Sequence, residues 1–155
     1  MEFHVRSARL TDVDPAMRIL MRDGDSPGEQ QGDADRLRSL LFLPSATVVV
    51  AEVERRVIGV GVLSIRPTVR SGPFVGVIDE LGLEGTAGRA TRSSRADATG
   101  RAEVGSSILG QLISSARNKG CARVEVADPL AAAETSLLKG VGFERRGALL
   151  SRAIG

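Results

Sequence analysis

Residues 101 to 120 read RAEVGSSILGQLISSARNKG, and Gly105 and Ser106 stand where apolar residues take up helical spacing. The first N–H groups of a helix lack intrahelical partners and sit at the positive end of its dipole. A helix starting here therefore offers a place for a phosphate, with glycine letting the backbone come close. Arg101, just upstream, adds a cation, while Glu103 brings a carboxylate to the same place. Three further carboxylates lie on strand-like runs: Asp79 and Glu80 in FVGVIDELGLE, and Glu125 in CARVEVAD. A charge on a strand is ordinary on an exposed face and costly inside, so each is either a solvated partner of an arginine or a positioned proton acceptor. Alternation puts Asp79 on one face with Leu81 and turns Glu80 away, unless a bulge intervenes.

Other chemistries are excluded by what the chain lacks. There are four Phe but no Tyr and no Trp, so no step can use a phenol or an indole. His4 is the only histidine and has no Ser and Asp partner set, which leaves a hydrolase triad unsupported. No metal cluster can be assembled, so no metal is expected. Cys121 opens an apolar run and reads as a small hydrophobe. As the single cysteine it cannot form an intrachain disulfide, and the start MEFHVRSARL lacks the apolar run of a signal peptide. No window approaches the ~20 apolar residues of a membrane span. The expected location is therefore a reducing cytoplasm, with no membrane partner. A formal charge of +2 without a basic stripe or an aromatic stacking platform argues against nucleic acid.

A chain of 155 residues, 42% hydrophobic and 26% charged, suits one domain over residues 1–155 with one buried core. FHVRSA (3–8) reads as a strand, and Thr11 or Asp12 can cap a helix through about Met21. GDSPGEQQGD (24–33) reads as a polar loop before a short helix, ADRLRSLLFL, that stops at Pro44. ATVVVAEVE (46–54), VIGVGVLSIRP (57–67) and FVGVIDELGLE (74–84) are β-branched runs that make an antiparallel meander. GTAGRATRSSRADATG (85–100) has no large apolar residue and reads as a loop. Its arginines at 89, 92 and 95 read as phosphate or acidic-substrate contacts or as solvated charge.

From Gly105 the residues Ile108, Leu109, Leu112, Ile113 and Ala116 form a helical stripe that closes at Gly120. CARVEVAD (121–128) is a strand, LAAAETSLLKGVG a helix, and GALLSRAI a last strand. The order βα(α)βββαβαβ predicts an α/β fold of the α+β type. Its central sheet is mixed and mostly antiparallel, of about 6–7 strands flanked by about 4 helices, with one helical crossover joining parallel neighbours.

This order, with three local stretches, resembles the GNAT superfamily of acyl-CoA dependent N-acetyltransferases. VIDELGLE is similar to that family's fourth strand, whose backbone meets the pantetheine arm, so the resemblance implies that Leu81 and Leu83 present those groups. VGSSILGQLISSARNKG looks like its pyrophosphate loop and helix, which implies contacts from Arg101, Val104, Gly105 and Ser106. Against the family's usual signature, Gly100 stands at the basic position and Glu103 at the middle glycine. AETSLLKGVGFERRG looks like its terminal helix, and Gly142 and Phe143 match. The family's general-acid tyrosine, five residues before that phenylalanine, is here Leu138, and Asp128, Pro129 and Leu130 replace an asparagine often found after the fifth strand.

The resemblance implies an N-acetyltransferase that uses acetyl-CoA or another acyl-CoA as co-substrate and an unidentified amine as acceptor. Direct attack needs a proton acceptor for the ammonium, and Asp79 or Glu125 supplies it; Glu125 stands where some members of the family keep their base. The alternative is a GNAT-fold binding or regulatory module that binds CoA without turnover. The last strands offer a surface for a homodimer.

Overall fold

The computed structural model describes residues 2–21, 24–84 and 95–154. Residues 85–94 of the expected loop, with Arg89 and Arg92, lie outside the described residues. Strand β1 (His4–Ser7) leads through a 3-10 turn (Leu10–Asp12) into helices α1 (Val13–Leu20) and α2 (Pro27–Leu40). The meander β2 (Ala46–Val53), β3 (Arg56–Pro67) and β4 (Phe74–Leu83) follows, then helix α3 (Arg95–Asn118) and β5 (Cys121–Val126). Two short helices, α4 (Leu130–Ala133) and α5 (Thr135–Gly140), come last in the element order. The sheet order is β1-β2-β3-β4-β5, with every neighbour antiparallel except β4 and β5, which are parallel and joined by α3.

Alternation on the strands builds a core on each side of the sheet. Val49, Ala51, Leu63, Ile78 and Leu83 pack against Ile108, Leu109 and Leu112 of α3. Val48, Val50, Val60 and Val62 pack against Val13 and Ala16 of α1 and Leu37 of α2. Glycines set how closely α3 sits: a Cβ on Gly61 would lie 2.5 Å from Ile108 Cγ2 and 2.9 Å from Leu112 Cδ1. Ile108 is fully buried, and its γ-methyl hangs from a stiff β-branched carbon, so it cannot swing aside. Gly61→Ala is expected to cost about 1–3 kcal/mol by overpacking, read as a lower midpoint in urea with an unchanged slope.

Four expectations are corrected. The segment read as a polar loop at 24–33 is mostly helix, because α2 begins at Pro27. Ser26 caps it, its Oγ accepting a hydrogen bond from the Glu29 backbone N–H at 3.1 Å, with Pro27 in the first turn. That Ser-Pro-x-Glu start is a capping signal hidden behind two glycines and an absence of apolar residues. Secondly, α3 begins at Arg95, not Gly105; RADATGRAE lacks an apolar stripe but is rich in good helix formers.

Thirdly, the sheet has five strands among the described residues, not six or seven, since residues 147–154 form none. Apolar character alone does not make a strand without a neighbour to pair with. The described helices number five rather than about four, because the expected LAAAETSLLKGVG helix breaks at Glu134.

Candidate active site

The two parallel strands part company where the carboxylates lie. β4 pairs with β5 through Val77↔Glu125 and Ile78↔Val126, where β5 ends. β4 runs on to Leu83 with only β3 beside it, through Leu81↔Gly61, Gly82↔Val60 and Leu83↔Gly59. From Asp79 onward, alternate backbone N–H and C=O groups of β4 therefore face the side that β5 has left.

A bulge sits at the parting point. β3 pairs Val62 with Glu80 but Leu63 with Ile78, so Asp79 is an extra residue on β4. Ile78 and Leu81, three residues apart, consequently both enter the α3-side core. Glu80, opposite Val62, takes the face of α1 and α2, and Asp79 takes it too, where Ser64 Oγ donates a hydrogen bond to its Oδ2. The expected shared face of Asp79 and Leu81 is thus corrected: the bulge puts them on opposite faces and sets Asp79 beside Glu80.

Glu125 lies on the same face as Asp79. Ser64 pairs with Val77 and Val77 with Glu125, one row across three strands. Both Glu125 oxygens are engaged: Arg66 Nη2 reaches Oε1 at 3.3 Å and Arg123 Nε reaches Oε2 at 3.2 Å. Asp79 is exposed and is held by one hydroxyl. The structure thus brings the two carboxylates to one surface in different states of engagement. Ser64, Arg66 and Arg123 gave no sequence signal, because cross-strand register decides their partners.

The side chains of Leu81 and Leu83 are buried, leaving their backbone as the part that faces the opening. Val104 is buried in the α3 core, Ser106 is exposed, and both lie well inside α3. Their N–H groups, like that of Gly105, therefore point at carbonyls one turn back. A Cβ on Gly105 would come within 2.6 Å of Leu137 Cδ2 and 3.0 Å of Leu83 Cδ1, so this glycine lets α5 and β4 close on α3. Arg101 donates two hydrogen bonds to the carboxylate of buried Glu134, at 2.9 and 2.8 Å, tying α3 to the junction of α4 and α5. Leu138 is a buried core residue. Cys121 packs against the same core, and burial pushes its thiol up, away from the thiolate a nucleophile needs.

No family model matches the sequence. No curated protein matches it either. Solved structures do match in fold. An acetyltransferase from Trypanosoma brucei is 18% identical with a TM-score of 0.68, covering 99% of this chain and 100% of that one. Glucosamine-6-phosphate N-acetyltransferase from Arabidopsis thaliana is 15% identical with a TM-score of 0.67, over 100% of both chains. Aminoglycoside N-acetyltransferase AAC(6')-Iy, solved with CoA, is 14% identical with a TM-score of 0.71, over 99% of this chain and 95% of that one. At such identities the likeness is one of fold.

Proposed function

With the GNAT acetyltransferase fold as the premise, we propose that this chain is an acyl-CoA dependent N-acyltransferase that passes an acetyl group to an amine by direct attack. The observation that carries this reading is the parting of β4 from β5 at the Asp79 bulge, which leaves a strand edge and a carboxylate at one opening. An open strand edge suits an extended, amide-bearing arm, which can pair with it as an added strand would. Residues 79–83 would hold the pantetheine of acyl-CoA in this way. The diphosphate end fits less well, since Val104, Gly105 and Ser106 are helix interior and Arg101 is already paired with Glu134.

Acyl-CoA supplies the activated thioester carbonyl. Asp79 accepts the proton of the incoming ammonium, and Ser64 fixes the orientation of its carboxylate. Glu125, with both oxygens given to guanidinium groups, serves to hold Arg66 and Arg123. No tyrosine stands at 138, where an apolar leucine is packed in the core, so the leaving thiolate takes its proton from water.

The same buried leucine, together with the helical state of residues 104–106, favours a second reading: the fold retained as a CoA-binding module without turnover. Titration calorimetry with acetyl-CoA and CoA, combined with thiol release over a panel of amines, separates the two. Micromolar binding with thiol release supports the enzyme, and binding without release supports the module. Folded protein that binds neither compound would sink both.

A further inference from the structure

We propose that the acceptor is zwitterionic: besides its amine it carries an anionic group, carboxylate or phosphate, that docks on Arg66 and Arg123. This rests on the acyltransferase reading above, in which the amine is delivered at Asp79. The two guanidinium groups reach the single carboxylate of Glu125 from β3 and β5. Two positive charges thus share one negative charge, and each guanidinium has five N–H donors, of which one is spent on Glu125. Glu125 holds the pair in place without using it up, leaving a net positive charge and several directed donors for a second anion.

Position argues the same way. The Arg66 and Arg123 side chains are 57% and 48% exposed and Glu125 is 42% exposed, so an incoming group can reach them without uncovering a buried pair. They lie on the Asp79 face of the sheet. Glu125 is level with Val77, two residues before Asp79 on the adjacent strand. Strand spacings put the α-carbons of Asp79 and Glu125 roughly 8 Å apart. The strip is bipolar: Asp79 lies toward the opening, and the arginines lie toward the start of β4. A polycation is repelled by one end, a plain alkylamine gains nothing there, and an amine with an anionic group matches both ends.

The ion pairs are solvent-exposed and add little to stability, so arginine substitutions test binding rather than folding. Thiol release from acetyl-CoA would be followed with glycine, β-alanine, 4-aminobutanoate and 6-aminohexanoate, each against the alkylamine of equal length, and with O-phosphoethanolamine against ethanolamine. At least one zwitterion is expected to exceed its matched amine by about 10-fold or more in kcat/KM. The doubly substituted Arg66→Gln/Arg123→Gln protein should show that ratio falling toward one, chiefly through KM. A preference confined to the amino acids assigns a carboxylate, and one confined to O-phosphoethanolamine assigns a phosphate. Alkylamines accepted as well as zwitterions throughout, or a preference untouched by the double substitution, overturns this proposal alone. Failure to release thiol with any amine overturns the acyltransferase reading and this one with it.

Discussion

Asp79→Asn is expected to lower kcat by about 10²- to 10⁴-fold for any amine that the protein accepts, with the affinity for acetyl-CoA nearly unchanged. Asparagine keeps the size of the side chain and can still accept the Ser64 hydroxyl hydrogen bond, so the β4 bulge should persist. What it removes is the capacity to take a proton. Glu125→Gln should cost much less, because Glu125 already gives both oxygens to Arg66 and Arg123. The comparison is made by steady-state thiol release and by calorimetric titration of acetyl-CoA. Equal losses in the two variants, or a larger loss in Glu125→Gln, would move the base to Glu125.

The second large effect concerns stability, at the cluster that anchors the start of α1. Arg6 Nη1 and Nη2 donate to Asp12 Oδ2 and Oδ1 at 2.7 and 3.0 Å, and Arg6 Nε donates to Glu52 Oε2 at 2.6 Å. The Arg9 backbone N–H adds a 2.7 Å bond to Asp12 Oδ2. Asp12 retains 8% of its side-chain exposure and Arg6 18%, so removing the arginine strands a buried carboxylate. Arg6→Leu is expected to destabilise the protein by about 3 kcal/mol, measured by urea unfolding near neutral pH. Since the network joins β1, β2 and the turn into α1, its loss should also loosen the helix that packs against the Asp79 face of the sheet.

The same cluster sets an acid limit. The Arg6 guanidinium holds the Asp12 carboxyl below its usual range, against an opposing push from burial. A carboxylate depressed in the folded state contributes stability that is fully present above the unfolded value, about 3.9, and is lost as pH falls through the folded value. Arg6, raised still further above its ordinary range, does not titrate in that window. Urea midpoints should therefore drop steeply below about pH 4, and less steeply in Asp12→Asn, whose stability is lower from the outset. An identical acid dependence in Asp12→Asn and the parent chain would remove Asp12 from the account.

Much of the fold is legible because its signals are local. The runs 46–54, 57–67 and 74–84 announce three strands through β-branched residues and turn residues, and the structure places β2 and β4 within them and β3 one residue earlier, from Arg56. Even the hairpin is local: Glu54 and Arg55 both take left-handed backbone angles, the two-residue connection that suits twisted strands. The expectations that moved lacked an apolar stripe, as at the start of α2 and of α3, or lacked a partner, as at residues 147–154. In the first case capping and propensity outweigh the missing pattern. In the second, pairing is a property of two segments, which one segment cannot reveal.

The sequence by itself determined the order of the elements from β1 to β5 with its helical crossover, the absence of any phenol, and the short roll of carboxylates able to take a proton, but it also announced a last strand that does not form among the described residues. Only the tertiary structure decided how these meet. Register with β3 made Asp79 a bulge and turned it away from Leu81 toward Ser64. Pairing with β5 brought Glu125 onto the same face but between two arginines. Packing against Leu137 and Leu83 gave Gly105 a steric reason to be glycine that is independent of phosphate. The division has one physical cause. Alternation and helix propensity are set by neighbours along the chain, whereas facing, pairing and close approach are set by residues tens of positions away.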